Sequence, residues 1–282
     1  EIASCLVGSE MCIRDRYKTG SLWLSILAAF LMGALVSLIY AFLTITMMAN
    51  QNVTGLTLTI FGTGLSNFIG EQMISASPTG NLKLPDGVMS SLKNIDIPLL
   101  SKIPVLGEVL FSQNIFTYLS IVIAVIMFIY LKKTKVGLNL RTIGENPAVA
   151  DAVGISVVKY KYINVLIGGG ICGIGGAFCS MVINGGVWMA NSVNGLGWIA
   201  VALVIFAVWN PARAIYGAYI FGAFMVLKYY FPKNLGFTVP ESFFDMLPYL
   251  VTALVLIITS VKKSRERSQP QSCGINYFRE ER

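Results

Sequence analysis

The chain has 282 residues, of which 55% are hydrophobic and only 12% charged, about half the ~25% charged share of ordinary soluble domains. Several apolar runs approach the roughly 20 residues that a bilayer crossing needs, which excludes a water-soluble domain and leaves an integral membrane protein. The net charge of +7 follows from membrane orientation more simply than from nucleic-acid binding. Histidine is absent and the five cysteines are scattered, so neither a metal site nor a disulfide framework is expected.

Residues 1–16 stand apart from the rest of the chain. Cys5 to Arg16, CLVGSEMCIRDR, resembles the in-frame translation of a transposase adapter used in sequencing libraries. It also lacks the apolar core and small-residue cleavage site of a targeting segment. Residues 1–16 are therefore expected to be non-native and unpacked, with the native start missing.

Leu22 to Met47 is the first long apolar run. Val53 to Ile69 is the second, thinned by Thr54, Thr57, Thr59, Thr63, Ser66, Asn67 and several glycines. It is too polar to face lipid all round, and is expected inside a bundle and open to a break within the membrane. Gly70 to Asn114 reads as a long loop. Ile115 to Leu131 is the next span, stopped by Lys132 and Lys133, and 132–161 is a polar insert. Tyr162 to Asn184 spans again, with Gly169 and Gly173 spaced for close helix packing; the strand–turn–helix setting of a nucleotide site is missing. Cys172 and Cys179 read as small apolar residues on that helix. Gly197 to Trp209 has only 13 residues, about 20 Å as a helix against a hydrocarbon core of roughly 30 Å, so it is not a straight crossing. Asn210 to Arg213 makes a tight turn, Ala214 to Tyr230 and Phe244 to Val261 are the last spans, and 262–282 is a tail.

Six crossings in alternation place the 132–161 insert, the Arg213 turn and the 262–282 tail on one side. They hold 6, 1 and 6 basic residues, whereas the 70–114 loop has three lysines against four acids. Basic residues mark the cytoplasmic side. No Asp, Glu or His lies within an apolar run apart from Asp245 at an edge, so no proton relay, charged filter or catalytic pair is visible. Lys228 reads as a snorkelling side chain. Two polar sets could meet a solute: Asn50, Gln51, Asn52 and Thr54, and, around the short segment, Asn184, Trp188, Asn191, Ser192 and Asn194. Amides and an indole suit a neutral, hydroxylated or ring-bearing solute, although ordinary loop polarity explains the second set equally well.

The most structured polar stretch is Gly137 to Gly154, GLNLRTIGENPAVADAVG. Asn146 suits an N-cap and Pro147 the first helical position. A helix of about two turns follows, ended by Gly154 in the left-handed region. Glu145 lies just before its N-terminus, where negative charge is favoured. A helix this short is marginal in water without a partner.

GLNLRTIGENPAVADAVGI, NGLGWIAVALVIFAVWNPARAIYGAYIFGA and CGINYFREER resemble the permease subunits of bacterial ABC importers, in the branch that handles nucleosides and simple sugars. ANQNVTGLTLTIFG is similar to the family segment in which a Gln opens a helix. The resemblance runs from about Tyr17 to Arg282. It implies an all-α polytopic membrane protein, N-terminally truncated, with a transmembrane permease domain over 17–261. It further implies that Gly144, Glu145, Asn146, Pro147, Ala150, Asp151 and Gly154 form the coupling helix that docks on an ATP-hydrolysing subunit. Other implied partners are a second permease subunit and an external solute-binding lipoprotein, in a bacterial cytoplasmic membrane. A nucleoside is the expected solute; a monosaccharide or branched-chain amino acid is the alternative, and a secondary transporter or facilitator the reading from another class. The solute path is assigned to Asn50, Gln51, Asn52, Thr54, Asn191 and Asn194, with no catalytic residue, no metal and no cofactor.

Overall fold

The computed structural model describes residues 21–76, 95–96, 112–190, 193, 195–234, 241–261 and 270–278. The segment 1–16 and the site residues Asn191 and Asn194 lie outside the described residues, as do the side chains of Lys228 and Asp245. Nine α-helices are seen among the described residues: α1 Leu22–Ala41, α2 Gln51–Ala76, α3 Ile115–Lys133, α4 Lys135–Glu145, α5 Pro147–Ala152, α6 Val157–Phe178, α7 Leu196–Phe206, α8 Pro211–Asn234 and α9 Glu241–Val261. Helices α1 and α6 run on into π-helical turns at Phe42–Thr46 and Cys179–Ile183. Two short strands, β1 Ile95–Asp96 and β2 Ser112–Gln113, pair antiparallel.

The chain forms two compact units. The first comprises Glu1–Leu119, Pro147–Asn194 and Gly274–Arg282, and the second Ser120–Asn146 and Gly195–Cys273. Among the described residues, three helical stretches are long and apolar enough to cross a membrane: Leu22–Thr46, Ile115–Lys133 and Val157–Ile183. Leu196–Phe206, Pro211–Leu227 and Met246–Ile257 are shorter apolar helices.

The first unit is built on α1 against α6. Every fourth residue of α1 is small and buried: Ser25, Ala29, Gly33, Ser37 and Ala41. This row meets Gly169, Gly173 and Ala177 of α6, also buried. A Cβ on Gly33 would strike the Gly169 carbonyl oxygen, one on Gly173 the Ala29 carbonyl, and one on Gly169 the Ser37 hydroxyl. The two backbones touch, which only small residues allow. The spacing of Gly169 and Gly173 anticipates this packing. Below it, Ile26, Ala29, Phe116, Ala177 and Met181 form the apolar core, with the Phe116 and Phe178 rings 5.8 Å apart.

Helix α2 departs from its expected form. It is one unbroken helix and continues through Ala76, past Gly70, the expected start of a loop. The hydroxyls that thin its sequence bond back one turn: Thr57 Oγ1 to the Val53 carbonyl at 2.9 Å, Thr59 to Gly55 at 2.8 Å, Thr63 to Thr59 at 2.9 Å and Ser75 to Glu71 at 2.9 Å. Hydroxyls satisfied this way do not require a break or a polar neighbour. Val53, Leu56, Ile60, Phe61 and Phe68 are accordingly free to point outward.

The polar insert is also more helical than its composition suggests. Thr134 caps α4, accepting the Gly137 amide at 3.0 Å. Gly137 is required there, since a Cβ would fall 2.7 Å from the Leu131 Cα. Ile143 turns inward and is buried. Helix α6 begins at Val157, inside the stretch read as insert.

In the second unit α7 has only 11 residues, and both Val208 and Trp209 have φ of 52°. This left-handed pair stops the helix, so the segment is not a straight crossing, in keeping with its length. Asn210 Oδ1 then accepts the Ala212 amide at 3.1 Å, and Pro211 opens α8. The expected Asn210–Arg213 turn is thus the first turn of α8. Phe206 packs on Phe221 at 5.4 Å, and the buried Thr252 of α9 donates to the Pro248 carbonyl at 2.7 Å and meets the Ala202 carbonyl at 3.5 Å.

Candidate functional site

The ends of helix α5 are set by neighbouring residues. Asn146 is extended, with φ of −148° and ψ of 98°, and Pro147 opens the helix. At the other end the Gly154 amide donates to the Asp151 carbonyl at 3.0 Å and the Ile155 amide to the Ala150 carbonyl at 3.0 Å. With Gly154 at φ 87°, this is the paired bonding of a Schellman stop. Ala150 is fully buried, whereas Val149 and Val153, one turn apart, are 51% and 75% exposed. Two valines beside a capped polar turn give α5 an apolar outer face. The Tyr277 hydroxyl donates to Asp151 Oδ2 at 3.1 Å, which puts residues of the C-terminal tail against this helix.

Gly144 and Glu145 belong to the second unit and end α4. The Gly144 carbonyl accepts the Ser272 amide at 2.9 Å and the Glu145 carbonyl accepts Ser272 Oγ at 3.2 Å. Tail residues therefore satisfy carbonyls that the end of α4 leaves open. Glu145 is thus the C-terminal residue of one helix as well as a near neighbour of the next N-terminus. The favourable dipole expected for its charge is offset by the unfavourable end of α4.

The first polar set is engaged with its own chain. Asn50 Oδ1 accepts the amides of Asn52 and Val53 at 3.0 and 3.2 Å, so it caps α2. Gln51 Nε2 donates to Asn276 Oδ1 at 3.2 Å. Thr54 is buried and Asn52 is exposed. Thr46 and Tyr162 share a short hydroxyl–hydroxyl bond near the same turn. Around the second set, the Trp188 indole lies on Gly70 of α2, where a Cβ would come 2.7 Å from its Nε1. Asn184 Nδ2 is buried and lacks a hydrogen-bond partner among the described residues. No group of three or more potential metal ligands occurs among the described residues.

Sequence reasoning missed Ser272, Asn276 and Tyr277. The tail segment that holds them bears a recognisable family pattern, but their partners lie more than a hundred residues away.

The family model described as branched-chain amino acid transport system / permease component matches residues 3–258. TsgC13 of Haloferax volcanii, named provisionally as a glucose ABC transporter permease protein, is 34% identical over 74% of this chain and 61% of its own length. The nucleoside ABC transporter permease protein NupC of Lactococcus lactis subsp. cremoris is 34% identical over 91% of this chain and 78% of its own. The guanosine ABC transporter permease protein NupQ of Bacillus subtilis is 35% identical over 83% of this chain and 72% of its own. The chain thus spans less than two thirds of TsgC13 and rather more of the other two. No solved structure matches the chain.

Proposed function

Because the chain belongs to the family of branched-chain amino acid transport system permease components, we propose that it is the membrane subunit of an ATP-driven importer of nucleosides. The reading takes its solute class from the likeness to NupC and NupQ, which are named for nucleoside and guanosine transport. A sugar is the second reading, and the likeness to TsgC13 favours it. The partners are an ATP-binding subunit, a second permease subunit and an external solute-binding lipoprotein, in a bacterial cytoplasmic membrane. The subunit itself makes and breaks no bonds; ATP hydrolysis belongs to the partner.

The observation that supports this reading most directly is α5. It is a six-residue helix opened by Pro147 and stopped at Gly154, whose exposed outer face shows Val149 and Val153. A helix that short keeps its shape through its caps and through docking, and its apolar face suits a cleft on the ATP-hydrolysing subunit. Displacement of that subunit on ATP binding and hydrolysis would then move α5 and switch the permease between outward- and inward-open states. The acid-free sequence of the three long apolar stretches agrees with an energy source outside this chain.

Two measurements test the proposal. In proteoliposomes holding the complete importer, ATP-dependent uptake of nucleosides should exceed uptake of hexoses and of branched-chain amino acids; the reverse order overturns the solute assignment. Gly154→Val forces a β-branched residue to φ 87° at a cost on the order of 1–2 kcal/mol. Uptake should be lost while the ATP-binding subunit stays assembled and its hydrolysis no longer responds to loaded binding protein. Wild-type coupling in that variant would make α5 a mere connector.

A further inference from the structure

In the first unit, two neighbouring tail residues hold two elements that are remote in sequence. Asn276 meets the turn between α1 and α2 with both ends of its amide. Its Nδ2 donates to the Met48 carbonyl at 2.6 Å and the Ala49 carbonyl at 3.2 Å, while its Oδ1 accepts from Gln51 Nε2 at 3.2 Å. Those carbonyls follow the π-helical end of α1, where chain groups lack an intrahelical partner, and Met48 itself has φ of 53°. The next residue, Tyr277, reaches Asp151 of α5 through its hydroxyl.

The placement matters because two adjacent residues connect α5 with the turn from which α2 starts. Helix α5 leads through Ile155 and Ser156 into α6, which is interlocked with α1 by glycines. At the first turn of α2 the Tyr40 hydroxyl meets the Gln51 carbonyl at 3.5 Å, the limit of a hydrogen bond. We propose that Asn276 and Tyr277 are positioning residues that fasten α5 to the α1–α2 turn, so that displacement of α5 also moves the start of α2. This rests on the reading of α5 as the docking helix for the ATP-hydrolysing subunit.

The test uses the complete importer with its ATP-binding subunit and solute-binding protein, and reads solute imported per ATP hydrolysed. Asn276→Asp keeps the shape but sets a carboxylate against two carbonyls, and Tyr277→Phe removes a single hydroxyl. Uptake per ATP should fall about tenfold in Asn276→Asp and about threefold in Tyr277→Phe, with hydrolysis per assembled complex unchanged within about twofold. A role confined to stability would lower uptake and hydrolysis together, with an earlier thermal transition and an unchanged ratio, and that result overturns the proposal. Gly154→Val is measured alongside. If it uncouples while both tail variants keep the wild-type ratio, the fastening role is wrong and the docking reading stands. If Gly154→Val keeps wild-type coupling, the docking reading fails and the fastening role fails with it.

Discussion

The α1–α6 pair and helix α2 belong to one unit and meet the demands of a membrane setting in opposite ways. In the pair, small residues remove side-chain bulk until the Gly33 and Gly169 backbones touch. In α2, polarity is absorbed within the helix by hydroxyls bonded to carbonyls four residues back. Glycine is abundant in both, yet it does different things. Gly33, Gly169 and Gly173 are backbone contacts between α1 and α6; Gly168 and Gly175 of α6 and Gly64 of α2 have no neighbouring atom within 4 Å of where a Cβ would stand, while Gly70 of α2 lies under the Trp188 indole. A glycine in a membrane helix therefore says nothing about packing until its opposite number is known.

The same substitution, Gly to Ala, sharpens the contrast. Gly33→Ala drives a methyl into the Gly169 carbonyl and the Gly173 backbone, where neither partner can yield by rotating a side chain. A loss on the order of 3 kcal/mol is expected, read as a lower midpoint in detergent unfolding. A wild-type midpoint would break the comparison outright. Gly170→Ala meets the Phe30 ring, with Cδ2 at 2.6 Å. Because a ring can turn aside, the expected loss is smaller, about 1–2 kcal/mol, with a matching smaller shift in midpoint. Gly64→Ala should gain stability, by up to about 1 kcal/mol, from the lost freedom of the unfolded chain. If Gly64→Ala instead weakens assembly with the second permease subunit while raising the midpoint of the isolated subunit, then α2 packs across that subunit boundary through this glycine.

Legibility followed distance along the chain. The helix at 147–152 could be read because Pro147 and Gly154 act on their immediate neighbours. The shortness of α7 could be read from its count of residues, though not the left-handed Val208 and Trp209 that enforce it. Helix α4 was hidden because Gly137, Asn139, Thr142 and Gly144 are poor helix formers, and its stability comes from Thr134 and from Ser272 far away. Gly169 and Gly173 announced a close contact, but only the structure shows that Ala29, Gly33 and Ser37 answer them. Similarly, the chemistry of Asn50 and Gln51 suits a solute, but it did not show that the Asn50 side chain caps α2 or that the Gln51 side chain binds Asn276 of the tail.

The interlocked pair has a second shared trait, the π-helical turn that ends each member. The Met47 amide bonds to Phe42 and the Asn184 amide to Cys179, each at 3.0 Å across five residues. Such a turn takes in one residue more than an α turn. Everything beyond it is rotated by about 100° relative to simple helical counting. A one-residue deletion inside either turn would leave the glycine interlock intact and swing the following loop to a different bearing. In an alignment of kindred permeases, gaps at these two places thus change the aim of the next segment, not merely its length.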